Sequence, residues 1–362
     1  MNKILIAITA VLMISSCGNE SVNNKKWTTS EPVFGSRIGD AWDNVAAKDP
    51  SIVEYNGKYH LFYTAKSADT INGKVNYKIG TGYTSAKTIE ELNSSERIFI
   101  DSIVGGNVVA PQVFYFEPQK KWYLIAHTWV NGDHGDLEPI YMTNYNIEDV
   151  NGWSEIKVMD THKTEKKFWI DFWAIQDKDE MYMFYADQKG ALLYMKSSNE
   201  DFPNGFHKSE SKVAFTQTGV KDSLKWKMFE AAHVFYSKKD EKFIALGEGA
   251  YFHPTRKWDV DARNRFIFAM VADSIDGEWT RYEGDKNDFF ADAEDVYNAD
   301  GSKSKNSLVS HPELIRASYN QKLEIESIEE IQMLYQSFDA TNIPATYNYN
   351  ELPLKLSLMS KK

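Results

Sequence analysis

A hairpin unit that recurs about every sixty residues constrains this chain more than any other feature. Its first copy runs from Asp49-Pro50-Ser51-Ile52-Val53-Glu54-Tyr55 through the turn Asn56-Gly57-Lys58 into Tyr59-His60-Leu61-Phe62-Tyr63. Asn-Gly between two apolar, alternating runs is a hairpin signal, because both turn residues accept the positive φ that a tight turn demands. Further copies start at Ala110-Pro111-Gln112, at Asp171-Phe172-Trp173 and at Glu230-Ala231-Ala232, and a weaker one starts at His311-Pro312-Glu313. The starts at 49, 110, 171, 230 and 311 lie 61, 61, 59 and 81 residues apart. A supersecondary unit repeated at that period predicts a radial array of four-stranded sheets, so the expected fold is all-β, a five-bladed β-propeller. Strand-like stretches between the hairpins, such as Val75 to Tyr83, Ile140 to Asn146, Ala191 to Ser197 and Phe266 to Ala272, supply the outer strands.

Composition narrows the function. Lysine and arginine number 41 against 52 aspartates and glutamates, a formal charge of −11, which argues against nucleic acid as the partner. Aromatic residues make up 14% of the chain, a content suited to strands and to surfaces that stack on sugars. The single cysteine excludes a disulfide framework and a multi-thiolate metal site. Serine-hydrolase elbows, Walker loops, HExxH and CxxC are absent from the sequence. Lys3, the apolar run Ile4 to Ile14 and then Ser15-Ser16-Cys17 have the layout of a secretory leader. Residues 1–16 are therefore expected to be a lipoprotein signal peptide, and 17–30 a lipidated Cys17 with a flexible tether. Residues 31–362 are then the catalytic domain, expected to be a monomer held at a bacterial cell envelope by the lipid, on the periplasmic side or surface-exposed, or else secreted.

The repeat also nominates a site. In a propeller the innermost strands start around one central channel, so residues a whole repeat apart meet there. Asp49, Asp171 and Glu230 occupy starting positions of three copies. Three carboxylates at one mouth cannot all ionise at neutral pH; one stays protonated beside one that is not, which is an acid beside a base. Paired carboxylates of this kind cleave glycosidic bonds.

At these residues the chain resembles glycoside hydrolase family 62, the α-L-arabinofuranosidases, within the five-bladed propeller glycosidases that include family 43. The resemblance rests on an ordered series: Lys48-Asp49-Pro50, Ala110-Pro111, Asn151-Gly152-Trp153-Ser154, Ile170-Asp171-Phe172-Trp173, Phe229-Glu230-Ala231, Ser310-His311 and Leu334-Tyr335-Gln336. It implies that Asp49 is the general base, Glu230 the general acid and Asp171 the carboxylate that orients the acid, with inversion at the anomeric carbon. It also implies that Lys48, Arg265 and Tyr335 line the arabinose pocket, with Arg263 a competitor for the place of Arg265. His311, helped by Gln336, would reach a structural calcium ion held largely by water in the central channel. No organic cofactor is implied. The family's usual Gln-Trp stands here as His127-Thr128-Trp129, and its Asp-Asn-Gly as Asp187-Gln188-Lys189-Gly190. Trp129 is either a stacking platform for substrate or a core residue. The expected partner is a plant cell-wall polysaccharide, arabinoxylan or arabinan. Two other functions fit the same residues: a propeller glycosidase for another sugar or linkage, of xylosidase or endo-arabinanase type, and a non-catalytic glycan-binding protein.

Overall fold

The computed structural model describes residues 27–129, 137–160, 170–221, 223–252, 260–282, 289–339, 341, 343, 347 and 349–361. The expected leader, Cys17 and most of the expected tether lie outside them. The described strands form five separate sheets in a propeller-like, all-β arrangement. Three are four-stranded meanders that start with Ala46–Tyr55, Val109–Phe116 and Trp173–Asp177. A seven-stranded sheet has Leu224–Ser237, Lys242–Phe252 and Val260–Ala272 at its centre. The last contains Ser310–Leu314, Gln332–Ser337 and Lys355–Lys361, and the N-terminal strand Trp27–Thr29 pairs antiparallel with residues 359–361. That pairing joins the two ends of the described chain in one sheet. Trp27 is buried and its indole N–H donates to the carbonyl of Phe290 at 2.7 Å. Residues 27–29, expected to belong to the tether, are therefore part of the folded sheet.

One backbone device marks every repeat. Asp49, Ala110, Asp171, Ala231 and His311 have φ of 45, 50, 49, 55 and 48°, a region that L-residues with a Cβ rarely enter. Each costs about 1–2 kcal/mol, so five at matching phases are a built feature of the fold. In four repeats the strand register shifts at this point, between Lys48 and Ser51, Val109 and Gln112, Glu230 and Ala232, and Ser310 and Glu313. Proline follows three of the five residues, at Pro50, Pro111 and Pro312, where the interrupted ladder needs no amide donor. The kink breaks the in-and-out alternation of an ideal strand. Adjacent residues such as Lys48 and Asp49 can then face the same site.

Two residues further along, Ser51, Gln112, Trp173, His233 and Glu313 are all buried and knit neighbouring sheets together. Gln112 exchanges two hydrogen bonds of 2.8 Å with the backbone of Ala174. Trp173 stacks on His233 at 4.1 Å and donates to the carbonyl of Val234. Glu313 accepts from the amide of Ile52 at 2.9 Å. Beyond them the segment from Arg316 to Leu323 passes the inner strands in turn. Arg316 donates to the carbonyls of Ile52 and Val113, while the carbonyls of Tyr319, Gln321 and Leu323 accept from the amides of Tyr115, Gln176 and Tyr236. It ties these inner strands together several residues beyond the repeat starts.

Candidate active site

The kinked strand starts bring Asp49, Asp171 and His311 together. His311 Nδ1 lies 3.4 Å from Asp49 Oδ1 and 3.7 Å from Asp171 Oδ2, and all three side chains are buried. Lys48 Nζ lies 3.6 Å from the other oxygen of Asp49. Glu230 stands beside Arg265, whose Nη1 donates to Glu230 Oε1 at 2.7 Å. The position that matches Asp49 and Asp171 in backbone geometry is Ala231, not Glu230. Glu230 matches Lys48 instead, and it joins the group because the kink lets both residues of the pair turn inward.

Burial works against every charge here, and the neighbours decide which charges persist. For Asp49 the desolvation that would raise its pKa is outweighed by Lys48 and His311, so it is held below the ordinary range and stays ionised. Asp171 has burial and then the charges of Glu230 and Asp49 against it, and is pushed well up. Burial raises Glu230 to about 7, Arg265 pulling it down and Glu248 pushing it up. Lys48 is desolvated too, yet Asp49, Tyr349, Asp171 and Glu230 hold its ammonium charged. Burial depresses His127 to about 4 and lowers His311, so both imidazoles are neutral at pH 7.

Tyr335 does not face this group. It is wholly buried, and its hydroxyl contacts Thr29 Oγ1 at 2.8 Å and the Asn306 amide at 2.6 Å. The alternation of a strand explains this: Gln336 points to the channel, so Tyr335 points away from it. The tyrosine beside this group is Tyr349, over whose ring lie Lys48 Nζ at 5.6 Å and the Arg265 guanidinium at 5.2 Å. Arg265 takes the predicted arginine position; the side chain of Arg263 lies outside the described residues, as does that of Trp129. Gln336 spends both ends of its amide on protein, accepting from the Asp49 amide at 3.3 Å and donating to Ser310 Oγ at 2.8 Å. It braces the backbone of Asp49 against Ser310. Calcium takes 6–8 oxygen ligands. Among the described residues no group of three or more His, Cys, Asp or Glu side chains is placed to hold a metal.

Sequence reasoning passed over Glu248. It is fully buried, directly opposite Glu230 on the neighbouring strand, and hydrogen-bonded to Arg265. Its signal was a lone acid in the run Leu246-Gly247-Glu248-Gly249-Ala250. The glycines are steric: a Cβ on Gly247 would lie 2.3 Å from the Phe268 ring, and one on Gly249 would lie 2.4 Å from Phe266.

A carboxylate pushed towards the ionised form beside two pushed towards the protonated one, with a lysine, an arginine and a tyrosine next to them, is the equipment of a glycoside hydrolase. Comparison with known proteins agrees and is more specific. The chain belongs to glycosyl hydrolase family 62, whose model matches residues 26–360. Alpha-L-arabinofuranosidase C of Cellvibrio japonicus (strain Ueda107) is 29% identical over 337 residues, 93% of this chain and 47% of that protein. The chain thus spans about half the length of this curated relative. The catalytic domain of the Coprinopsis cinerea GH62 alpha-L-arabinofuranosidase superposes with a TM-score of 0.74 at 27% identity, over 94% of this chain and 98% of that one. A GH62 hydrolase solved in complex with xylotriose gives 0.73 at 26% identity, over 92% and 97% of the two chains.

Proposed function

We propose that this glycosidase is an α-L-arabinofuranosidase that removes terminal α-L-arabinofuranosyl groups from arabinoxylan or arabinan by a single, inverting displacement. One observation carries the reading: neighbouring carboxylates, two buried and one half-buried, are driven in opposite directions, Asp49 towards the ionised form and Glu230 and Asp171 towards the protonated one. Asp49 takes a proton from a water molecule as its oxygen attacks the anomeric carbon. Glu230 gives its proton to the glycosidic oxygen as that bond breaks, so the sugar leaves as a neutral hemiacetal and the polymer keeps a hydroxyl. Asp171, shared with Asp49 through His311, stays protonated and keeps a second negative charge off the mouth. Lys48, Arg265 and Tyr349 supply donors and a ring face for one furanose.

The names of the family relatives support arabinose as the sugar, and the relative solved with xylotriose supports a xylan main chain. Five sheets and five matching left-handed residues favour a five-bladed propeller. The leader pattern ending in Cys17 favours an enzyme tethered by lipid to a bacterial envelope. The pH dependence of kcat/KM on an aryl α-L-arabinofuranoside tests the reading. Activity requires Asp49 deprotonated and Glu230 protonated, so the profile is a bell. Its acid limb lies below the usual aspartate range and its basic limb lies near the Glu230 value of about 7. Activity that stays flat from pH 6 to pH 9, or no turnover at any pH, overturns it.

A further inference from the structure

We propose that Glu248 is a positioning residue for the reaction: its buried carboxylate neutralises Arg265 and ties it to the strand start at Ser310-His311, so that the guanidinium aligns Glu230 without stripping its proton. The inference rests on Glu230 being the general acid.

Glu230 and Glu248 are direct cross-strand partners, an arrangement in which like charges repel. Arg265, from the third strand of the same sheet, lies between them and donates from one nitrogen, Nη1, to both. The other oxygen of Glu248, Oε2, accepts from Ser310 Oγ at 2.8 Å and from the His311 amide at 2.9 Å. Three donors, Arg265 Nη1, Ser310 Oγ and the His311 amide, thus converge on this one carboxylate. Its bonds to Ser310 and His311 cross to the neighbouring sheet, and Ser310 in turn receives the Gln336 amide that braces Asp49. The acid, its arginine and the backbone behind the base thus hang on one buried side chain. Gly247 and Gly249 let Phe268 and Phe266 pack over this strand where Glu248 is placed.

The charges facing Glu230 come from Arg265 and Glu248 in its own sheet, from Lys48, Asp49 and Asp171 across the channel, and from the Tyr349 hydroxyl. A private Arg265–Glu230 pair would favour the ionised acid, which is useless as a proton donor. Sharing the arginine with Glu248 leaves the alignment and removes most of that bias.

The test is the pH profile of kcat/KM for Glu248→Gln and Glu248→Asp on an aryl α-L-arabinofuranoside, with thermal unfolding alongside. Glu248→Gln leaves the whole Arg265 charge on Glu230, so its basic limb moves down by about one pH unit or more. Activity at pH 8 then falls about tenfold for each unit of that movement. Glu248→Asp keeps the charge on a shorter arm and moves the limb less. A purely structural role would lower the unfolding temperature and leave the limb in place. A folded Glu248→Gln enzyme with the wild-type limb overturns the proposal; if that variant does not fold, an unmoved limb in Glu248→Asp does so. Glu230→Gln is measured in parallel. A basic limb that survives there removes the acid assignment and this inference with it, whereas one that vanishes there but stands unmoved in the Glu248 variants removes this inference alone.

Discussion

Replacing Glu230 with glutamine is expected to lower kcat on arabinoxylan by about 10²–10⁴-fold while sparing much of the activity on an aryl arabinofuranoside with an acidic leaving group. Glutamine keeps the shape of the side chain and can still accept from Arg265 through its carbonyl oxygen, so substrate affinity and folding change little. What it cannot do is protonate a departing alkoxide. A sugar hydroxyl on a xylan chain is a poor leaving group without that proton, whereas a nitrophenolate departs unaided. Equal losses on the two substrates would mean that Glu230 binds or shapes the site but does not donate.

Asp49→Asn should lower turnover on both substrates by about 10²–10⁴-fold, because it removes the carboxylate that takes the proton of the attacking water. Asparagine suits this position structurally, since it tolerates the φ of 45° better than most residues and still fills the buried volume. The charge is another matter. Lys48 and His311 face Asp49, and without it a buried ammonium loses its nearest counter-ion. A modest loss of thermal stability is therefore expected beside the kinetic loss. Kinetics on the activated and natural substrates separate the two carboxylates: Asp49 variants fail on both, Glu230 variants mainly on the natural one. An Asp49→Asn enzyme that keeps more than a tenth of wild-type turnover would place the base elsewhere.

Much of this is legible in the sequence because the repeat is regular. Polar residues at the entry of apolar hairpins are conspicuous, and a shared phase implies a shared place in a radial fold. The phase itself was one residue out at Glu230. Equivalence is set by backbone conformation, and a pattern of polar residues does not report φ; the alanines at positions 110 and 231 carry the kink without a functional side chain. Tyr335 was misplaced by ignoring alternation, for it cannot share a face with Gln336 in a regular strand. Tyr349 had no signal at all. It follows the last hairpin, outside the repeat, and only the tertiary fold lays its ring beneath Lys48 and Arg265. Glu248 could have been found, since a single acid flanked by glycines in a buried strand is costly unless something holds it.

Inversion requires water to attack from the Asp49 side while Glu230 protonates the departing glycosidic oxygen, and proton NMR of the earliest product on arabinoxylan tests this most directly. The predicted first signal is β-L-arabinofuranose, released from terminal α-linked branches and mutarotating afterwards to the equilibrium mixture. An α-anomer appearing first, or release of a different sugar, would contradict it.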